Sequence, residues 1–151
     1  MSDYYRACAS IVVFRKTQDG KVQVLLLHKQ RKRDAWQFPQ GGQEEGESLK
    51  EAAQRELKEE ADVSVHVLGT SEKVYQYDFP ASYRRFRPDN VCGQRVQYVF
   101  ARLKDGETVQ VDEDEIDDHM WIFPEQIGKH IRRKKYLGFA LMLLEEGQAL
   151  L

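Results

Sequence analysis

The sequence predicts an α/β sandwich, on three observations. Short runs of apolar and β-branched residues recur through the first two thirds of the chain, separated by turn residues. A helix with its own start signal interrupts them at Ser48. A second amphipathic helix closes the sequence after Lys134.

The elements follow in order. Tyr5 to Phe14 is a strand, Asp19-Gly20 a hairpin turn, and Val22 to His28 the returning strand. A basic loop leads to Trp36-Gln37-Phe38-Pro39. Ser48 followed three residues later by Glu51 is a capping box, so a helix is expected from Ser48 to about Ala61. Val63 to Leu68 and Lys73 to Phe79 alternate as two strands, Arg95 to Leu103 as another, and Met120 to Phe123 as a short one. Pro124 is placed to start a short helix. The last helix runs from Lys134 to Glu146, with Phe139, Ala140, Leu143 and Leu144 on its apolar face.

Composition narrows the function. A chain of 151 residues has length for a real core and is expected to form one domain over 1–151. Its net charge of −2 supplies no global field for nucleic acid or membrane. Cys8 and Cys92 are too few for a disulfide framework and read as free thiols in a reducing compartment. No apolar signal segment or membrane-length run is present, so a cytoplasmic enzyme with no membrane partner is expected. His28, His66, His119 and His130 lack metal-ligand spacing.

The helix after Ser48 carries the chemistry. Seven glutamates lie between Gln43 and Ala61. At about 100° per residue from Leu49, Glu56 and Glu60 fall roughly 20° to either side, among Ala52, Ala53 and Leu57. Glu59 sits at the edge of that arc, and Glu51, Gln54, Arg55 and Lys58 lie opposite. Glu56 and Glu60 thus share the face that should pack on a core. Like charges four residues apart repel, acids near a helix C-terminus oppose its dipole, and desolvation adds to both. A bound divalent cation reverses all three, because hard cations take oxygen ligands. A solvated surface helix accounts for Glu44, Glu45 and Glu51, but not for Glu56 and Glu60.

The segment Gly41 to Val63 resembles the Nudix box. Gly41 and Glu47 stand at its first Gly and Glu, Arg55-Glu56-Leu57-Lys58-Glu59-Glu60 at its core, and Val63 at its last apolar position. Asp62 departs from it, standing where the family has a Gly that closes the helix. Asp tolerates the left-handed region better than most residues, so the site should survive. The resemblance implies a Nudix-type α/β/α sandwich, with a mixed sheet and a catalytic loop-helix-loop. It implies hydrolysis of a nucleoside diphosphate linked to another moiety, with Mg²⁺ or in its place Mn²⁺. Gly41, Glu56, Glu59 and Glu60 would form the metal site, Glu59 and Glu60 with catalytic roles, and Glu47 would brace Arg55. The cation would offset the polyphosphate charge that repels an attacking hydroxide.

In the relatives this chain resembles, a further Glu precedes a short aromatic strand and faces the metals. Glu115, six residues before Trp121, stands in that place as ligand or base, with Asp114 and Asp118 as alternatives. The rest of the acidic run from Asp112 to Asp118 reads as a solvated loop.

Substrate signals are weaker. Trp36 to Gly42, Tyr75 to Pro80 and Gly93-Gln94-Arg95 resemble bacterial RNA 5′-pyrophosphohydrolases and asymmetrically cleaving dinucleoside-tetraphosphate hydrolases. The likeness loosens over 81–92 and at Tyr98, where the relatives usually have Trp. Basic clusters at Lys29 to Arg33, Arg84 to Arg87 and Lys129 to Lys135 can neutralise further phosphates. Lys29, Arg31, Gln40, Tyr77, Arg85 and Gln94 are the candidate substrate contacts. The expected partner is a nucleotide or polyphosphate, dinucleoside polyphosphates and RNA 5′ ends included. The sequence leaves the oligomeric state open, a monomer being compatible. An inactive nucleotide-binding module and an enzyme for nucleotide sugars or diphosphoinositols are the alternatives.

Overall fold

The computed structural model describes residues 3–30, 35–84 and 90–151. β1 (Tyr4–Lys16) is the axis of the sheet, and its sequence shows why. Residues Cys8 to Phe14 are all buried. Successive strand side chains point to opposite faces. Cys8, Val12 and Phe14 accordingly join one apolar cluster, and Ala9, Ile11 and Val13 the other. A strand apolar on both faces must be covered on both faces.

The neighbours follow. β6 (Val91–Leu103) runs parallel to β1, from Tyr4 opposite Val91 to Phe14 opposite Arg102. All other pairings are antiparallel. β2 (Val22–Lys29) joins the end of β1, β3 (Trp36–Gln37) and β7 (Ile116–Ile122) flank β2, and β4 (Gln40–Gly42) pairs with Cys8 to Ser10 of β1. β5 (Val65–Asp78) is the outer strand beyond β6. The two strands expected at Val63 to Leu68 and Lys73 to Phe79 are one. Two register shifts, after Val67 and after Thr70, carry the polar stretch between them without ending the pairing with β6.

Helices cover both faces. α1 (Leu49–Ala61) lays Ala52, Ala53, Leu57 and Ala61 on one cluster. α3 (Lys134–Gln148) lays Tyr136, Ala140, Leu143 and Leu144 on the other. The Gly147 backbone sits so close that an added Cβ would stand 2.7 Å from the Phe14 and Phe100 rings. A one-turn helix, α2 (Ala81–Arg84), follows β5, and a 3-10 segment at Pro124–Lys129 precedes α3. The mixed sheet between helices is the expected fold. No helix among the described residues is long and apolar enough to cross a membrane.

Candidate active site

α1 begins and ends by local chemistry. The Ser48 hydroxyl accepts from the Glu51 N–H at 3.1 Å, and the Glu51 carboxylate accepts from the Ser48 N–H at 3.1 Å. At the far end Asp62 has φ 53° and ψ 43°, and its N–H donates to the Lys58 carbonyl at 3.1 Å. The left-handed cap is therefore made, with Asp in place of Gly.

Arg55 ties the preceding loop to the helix. It holds Glu47 with two bonds, Nε to Oε2 at 2.6 Å and Nη2 to Oε1 at 2.9 Å. The same Nη2 donates to the Gly42 carbonyl at 2.9 Å, while Nη1 reaches Glu56 at 2.9 Å and Glu59 at 3.3 Å. The fork geometry of guanidinium suits this bidentate grip. Arg55 holds the Glu47 carboxyl down at about 2, helped by the Glu44 N–H, and Glu47 in turn drives the Arg55 pKa further up.

The helical arithmetic separates the remaining acids as the structure does. The Glu60 residue is only 4% exposed, and the Glu56 side chain 13%, whereas the Glu59 side chain is 59% exposed. Burial pushes the Glu60 carboxyl up to about 8, and the Glu56, Glu115 and Asp112 carboxylates add to it. The one opposing contact is the Gln40 N–H, which donates to Glu60 Oε1 at 3.1 Å. Burial also raises Glu56, against the pull of Arg55. Gly41 is small because Glu56 is there: a Cβ on Gly41 would stand 2.0 Å from the Glu56 carboxylate carbon.

These groups line a cleft of about 1140 Å³. Gly41, Glu56, Glu59, Glu60 and Glu115 all border it, as do Lys29, Gln40, Tyr77 and Gln94. Arg31 and Arg85 lie outside the described residues. Asp114 and Asp118 do not border it, whereas Asp112 does. The Asp112 carboxylate accepts from the Asp114 and Ile116 N–H groups at 3.2 and 3.1 Å, turning the loop on which Glu115 sits. The Glu115 carbonyl is pinned by the Gln30 N–H at 2.8 Å. An acid two or four residues before such N–H groups is a local turn signal that the run's uniform acidity hid.

Basic and aromatic residues line the cleft as well. Tyr75, Tyr77 and Phe79, alternate residues along and just past β5, face the cleft with Tyr83. Tyr77 donates its hydroxyl to Gln94. Their strands meet closely at Gly93, where a Cβ would stand 2.0 Å from the Tyr77 carbonyl oxygen. Arg132 and Arg133 border the cleft before α3, and Arg6 from β1. Arg6 escaped the sequence reading. Its guanidinium lies over Gly42, where a Cβ would be 2.1 Å from it. The Gly41-Gly42 pair was the available signal, since each glycine leaves room for one charged side chain.

Among the described residues no three acid, imidazole or thiol groups stand close enough together to hold one ion as they are. Glu56 and Glu59 lean on Arg55 and Glu60 on Gln40, as mutually repelling carboxylates do. The donor set nevertheless fits a hard divalent cation: it is all oxygen, it includes a buried carboxylate, and the missing side chain of Gly41 lets the Glu56 carboxylate and the backbone come close together.

The sequence matches the NUDIX domain over residues 4–139. An RNA pyrophosphohydrolase of Campylobacter jejuni is 29% identical over 150 residues, 95% of each chain. One of Caulobacter vibrioides is 40% identical over 119 residues, 77% of this chain and 67% of the relative. A C. elegans Ap4A hydrolase, solved as a binary complex, has the same fold, with a TM-score of 0.73 at 24% identity, covering 95% of this chain and 98% of that one. The chain belongs to the Nudix family and is a Nudix hydrolase. Enzymes of this family generally use a divalent metal ion.

Proposed function

We propose that the chain is a divalent-metal-dependent pyrophosphohydrolase that acts on the 5′-triphosphate end of RNA. The observation that carries this reading is that one cleft is lined by a set of acids and by basic and aromatic side chains together. Acids from α1 and the 112–115 loop share it with Arg6, Arg132, Arg133 and the aromatic row of β5. Such a cleft takes a polyphosphate lengthwise, with its charge spread between cation and guanidinium groups and its nucleoside against the rings. The curated relatives named RNA pyrophosphohydrolase support the RNA end as substrate.

Glu56, Glu59, Glu60 and Glu115 are the groups to hold Mg²⁺ or Mn²⁺. When bound, the ion offsets phosphate charge and favours ionisation of the attacking water. The chain's own residues do the rest. Arg55 fixes the spacing of Glu47, Glu56 and Glu59. Glu60 is anchored through the Gln40 N–H, so its second oxygen is left to face the cleft. Glu59, the exposed carboxylate, is held by Arg55 at 3.3 Å, a longer contact than the one to Glu56, and is the group to take a proton from water. Lys29, Gln40, Tyr77 and Gln94 border the space the substrate would fill.

A second reading, a dinucleoside polyphosphate substrate, is favoured by one observation: the row Tyr75, Tyr77, Phe79 and Tyr83 is long enough to offer more than one ring to a base. A single panel separates the two. Triphosphorylated RNA, diadenosine tetraphosphate, nucleotide sugars and nucleoside triphosphates are incubated with Mg²⁺ in ¹⁸O-water, with wild type beside Glu59→Gln and Glu60→Gln. RNA should be turned over with the highest kcat/KM, and both variants should fall at least about a hundredfold. Undiminished turnover in both variants removes the assignment of the carboxylates. A higher kcat/KM for the dinucleotide moves the enzyme to the second reading.

A further inference from the structure

β2 and β7 pair without interruption from Val24 opposite Ile122 to His28 opposite Asp118, and then lose step. Lys29 lies opposite Ile116, which leaves Asp117 without a partner across the ladder. Asp117 is the extra residue of a β-bulge.

The bulge decides which way the residues before it point. Side chains along a regular strand alternate between its faces. Ile122 and Met120 pack with one apolar cluster, and Trp121 with the other. Ile116 lies six residues before Ile122, so unbroken alternation would put it with the first cluster. It is buried in the second, the one that the apolar face of α1 covers, because a slip of one residue exchanges the faces. The same slip sets the neighbouring Glu115, which borders the cleft with Glu56 and Glu60.

The extra residue is held from across the sheet. The Asp117 carboxylate lies 2.7 Å from His28 Nδ1. A carboxylate accepts, so Nδ1 carries the hydrogen and donates it, whatever the state of Nε2. The His28 ring in turn packs on Trp36, with centroids 5.0 Å apart, and Trp36 on His130 at 6.3 Å. Beyond the bulge, the Gln30 N–H donates to the Glu115 carbonyl at 2.8 Å and the Ile116 N–H to Asp112 at 3.1 Å. Glu115 thus sits on a short turn that is bonded at both ends. The His28 and Asp117 side chains are 23% and 41% exposed, and a pair so open to water adds little to stability. Its position, on the residue where the strand changes step, gives it a different use.

We propose that His28 and Asp117 are positioning residues, whose hydrogen bond pins the bulge that carries Glu115 into the cleft. The proposal rests on the reading of Glu115 as a metal ligand. It accounts for how an acid outside the Nudix box is kept in register with those inside it. Neither His28 nor Asp117 borders the cleft, so each acts through Glu115.

The test follows Mn²⁺ binding through the electron paramagnetic resonance signal of the free ion, with kcat on the preferred substrate of the panel and Tm measured beside it. The proteins are wild type, His28→Ala, Asp117→Ala, Asp117→Asn, Glu115→Gln and the Asp117→Ala/Glu115→Gln double variant. His28→Ala and Asp117→Ala should each weaken Mn²⁺ binding and lower kcat about tenfold, as loss of a group that orients a metal ligand does. Asp117→Asn keeps an oxygen to accept from Nδ1 and should stay within about twofold of wild type. In the Glu115→Gln background, Asp117→Ala should cost less than about a further twofold, because the carboxylate it positions is already gone.

Equal losses from Asp117→Ala in the wild-type and Glu115→Gln backgrounds overturn the positioning role and leave Glu115 as a ligand. Asp117→Asn as impaired as Asp117→Ala overturns it too, since charge and not the bond would then be at work. A fall in Tm with unchanged Mn²⁺ affinity assigns the pair to stability and overturns the proposal. Glu115→Gln that binds Mn²⁺ and turns over substrate like wild type overturns the reading of Glu115 and the proposal together.

Discussion

Among the acids that line the cleft, nearly every polar atom answers to another within a single stretch of sequence. Glu47, Arg55, Glu56, Glu59 and the Gly42 carbonyl are joined through one guanidinium, and Glu60 is fixed by the Gln40 N–H. The basic and aromatic lining differs: Arg6, Tyr77, Gln94 and Arg133 come from β1, β5, β6 and the approach to α3. They are held by packing of the sheet, with one side-chain bond, Tyr77 to Gln94, between two of them. The acid wall is over-determined and local, while the basic wall is sparse and assembled from distant segments. For the proposed reaction centre, which would tolerate little displacement, the geometry has to be built in many times over. A substrate wall can change one residue without disturbing the rest.

Substitutions on the two walls should therefore differ in kind. The largest effect is expected from Gly41→Ala. Its methyl would stand where the Glu56 carboxylate now lies, and that carboxylate, at the end of a flexible chain, would swing away. Hydrolysis should fall about a hundredfold through kcat while Tm stays nearly constant. A variant of normal rate would show that the acid wall is more forgiving than its bonding implies. A smaller effect is expected from Tyr77→Phe, which keeps the ring and removes only the bond to Gln94. KM should rise severalfold with kcat little changed, as the loss of one hydrogen bond allows. A loss confined to kcat would instead place Tyr77 with the acids.

This contrast also explains what could be read from the sequence. The acid wall was legible because its residues are set by one helix and its caps. The 3.6-residue period placed Glu56 and Glu60 on the buried face and Glu59 at its edge, and Ser48 with Glu51 fixed the start. Asp62 was legible as an exception, and it holds the left-handed conformation expected of the residue there. The strands were legible where both faces are apolar, as in β1, and less so in β5. There, polar residues between Gly69 and Lys73 looked like an interruption and are two register shifts within one strand. The basic wall was illegible in part because pairing across the sheet, not spacing along the chain, brings Arg6 to Gly42. Asp112 was missed for a different reason: six acids among seven residues give periodicity little to distinguish, and only the turn it caps sets it apart.

On the proposed function, Glu60 is kept buried, at a cost to the fold, for the sake of a cation. Its carboxyl has a folded-state pKa of about 8, above the ordinary 4.5. The stability this represents is fully present below about pH 4.5 and is lost as pH rises through about 8, where the carboxylate must be charged in its buried place. The direct measurement is Tm from pH 4 to 9, with and without Mg²⁺, for wild type and Glu60→Gln. Without Mg²⁺, wild-type Tm should fall relative to the variant as pH rises across that window, and Mg²⁺ should restore the wild type at high pH while leaving the variant little changed. Parallel curves for the two proteins, or a Mg²⁺ effect that the glutamine variant shares in full, would contradict it.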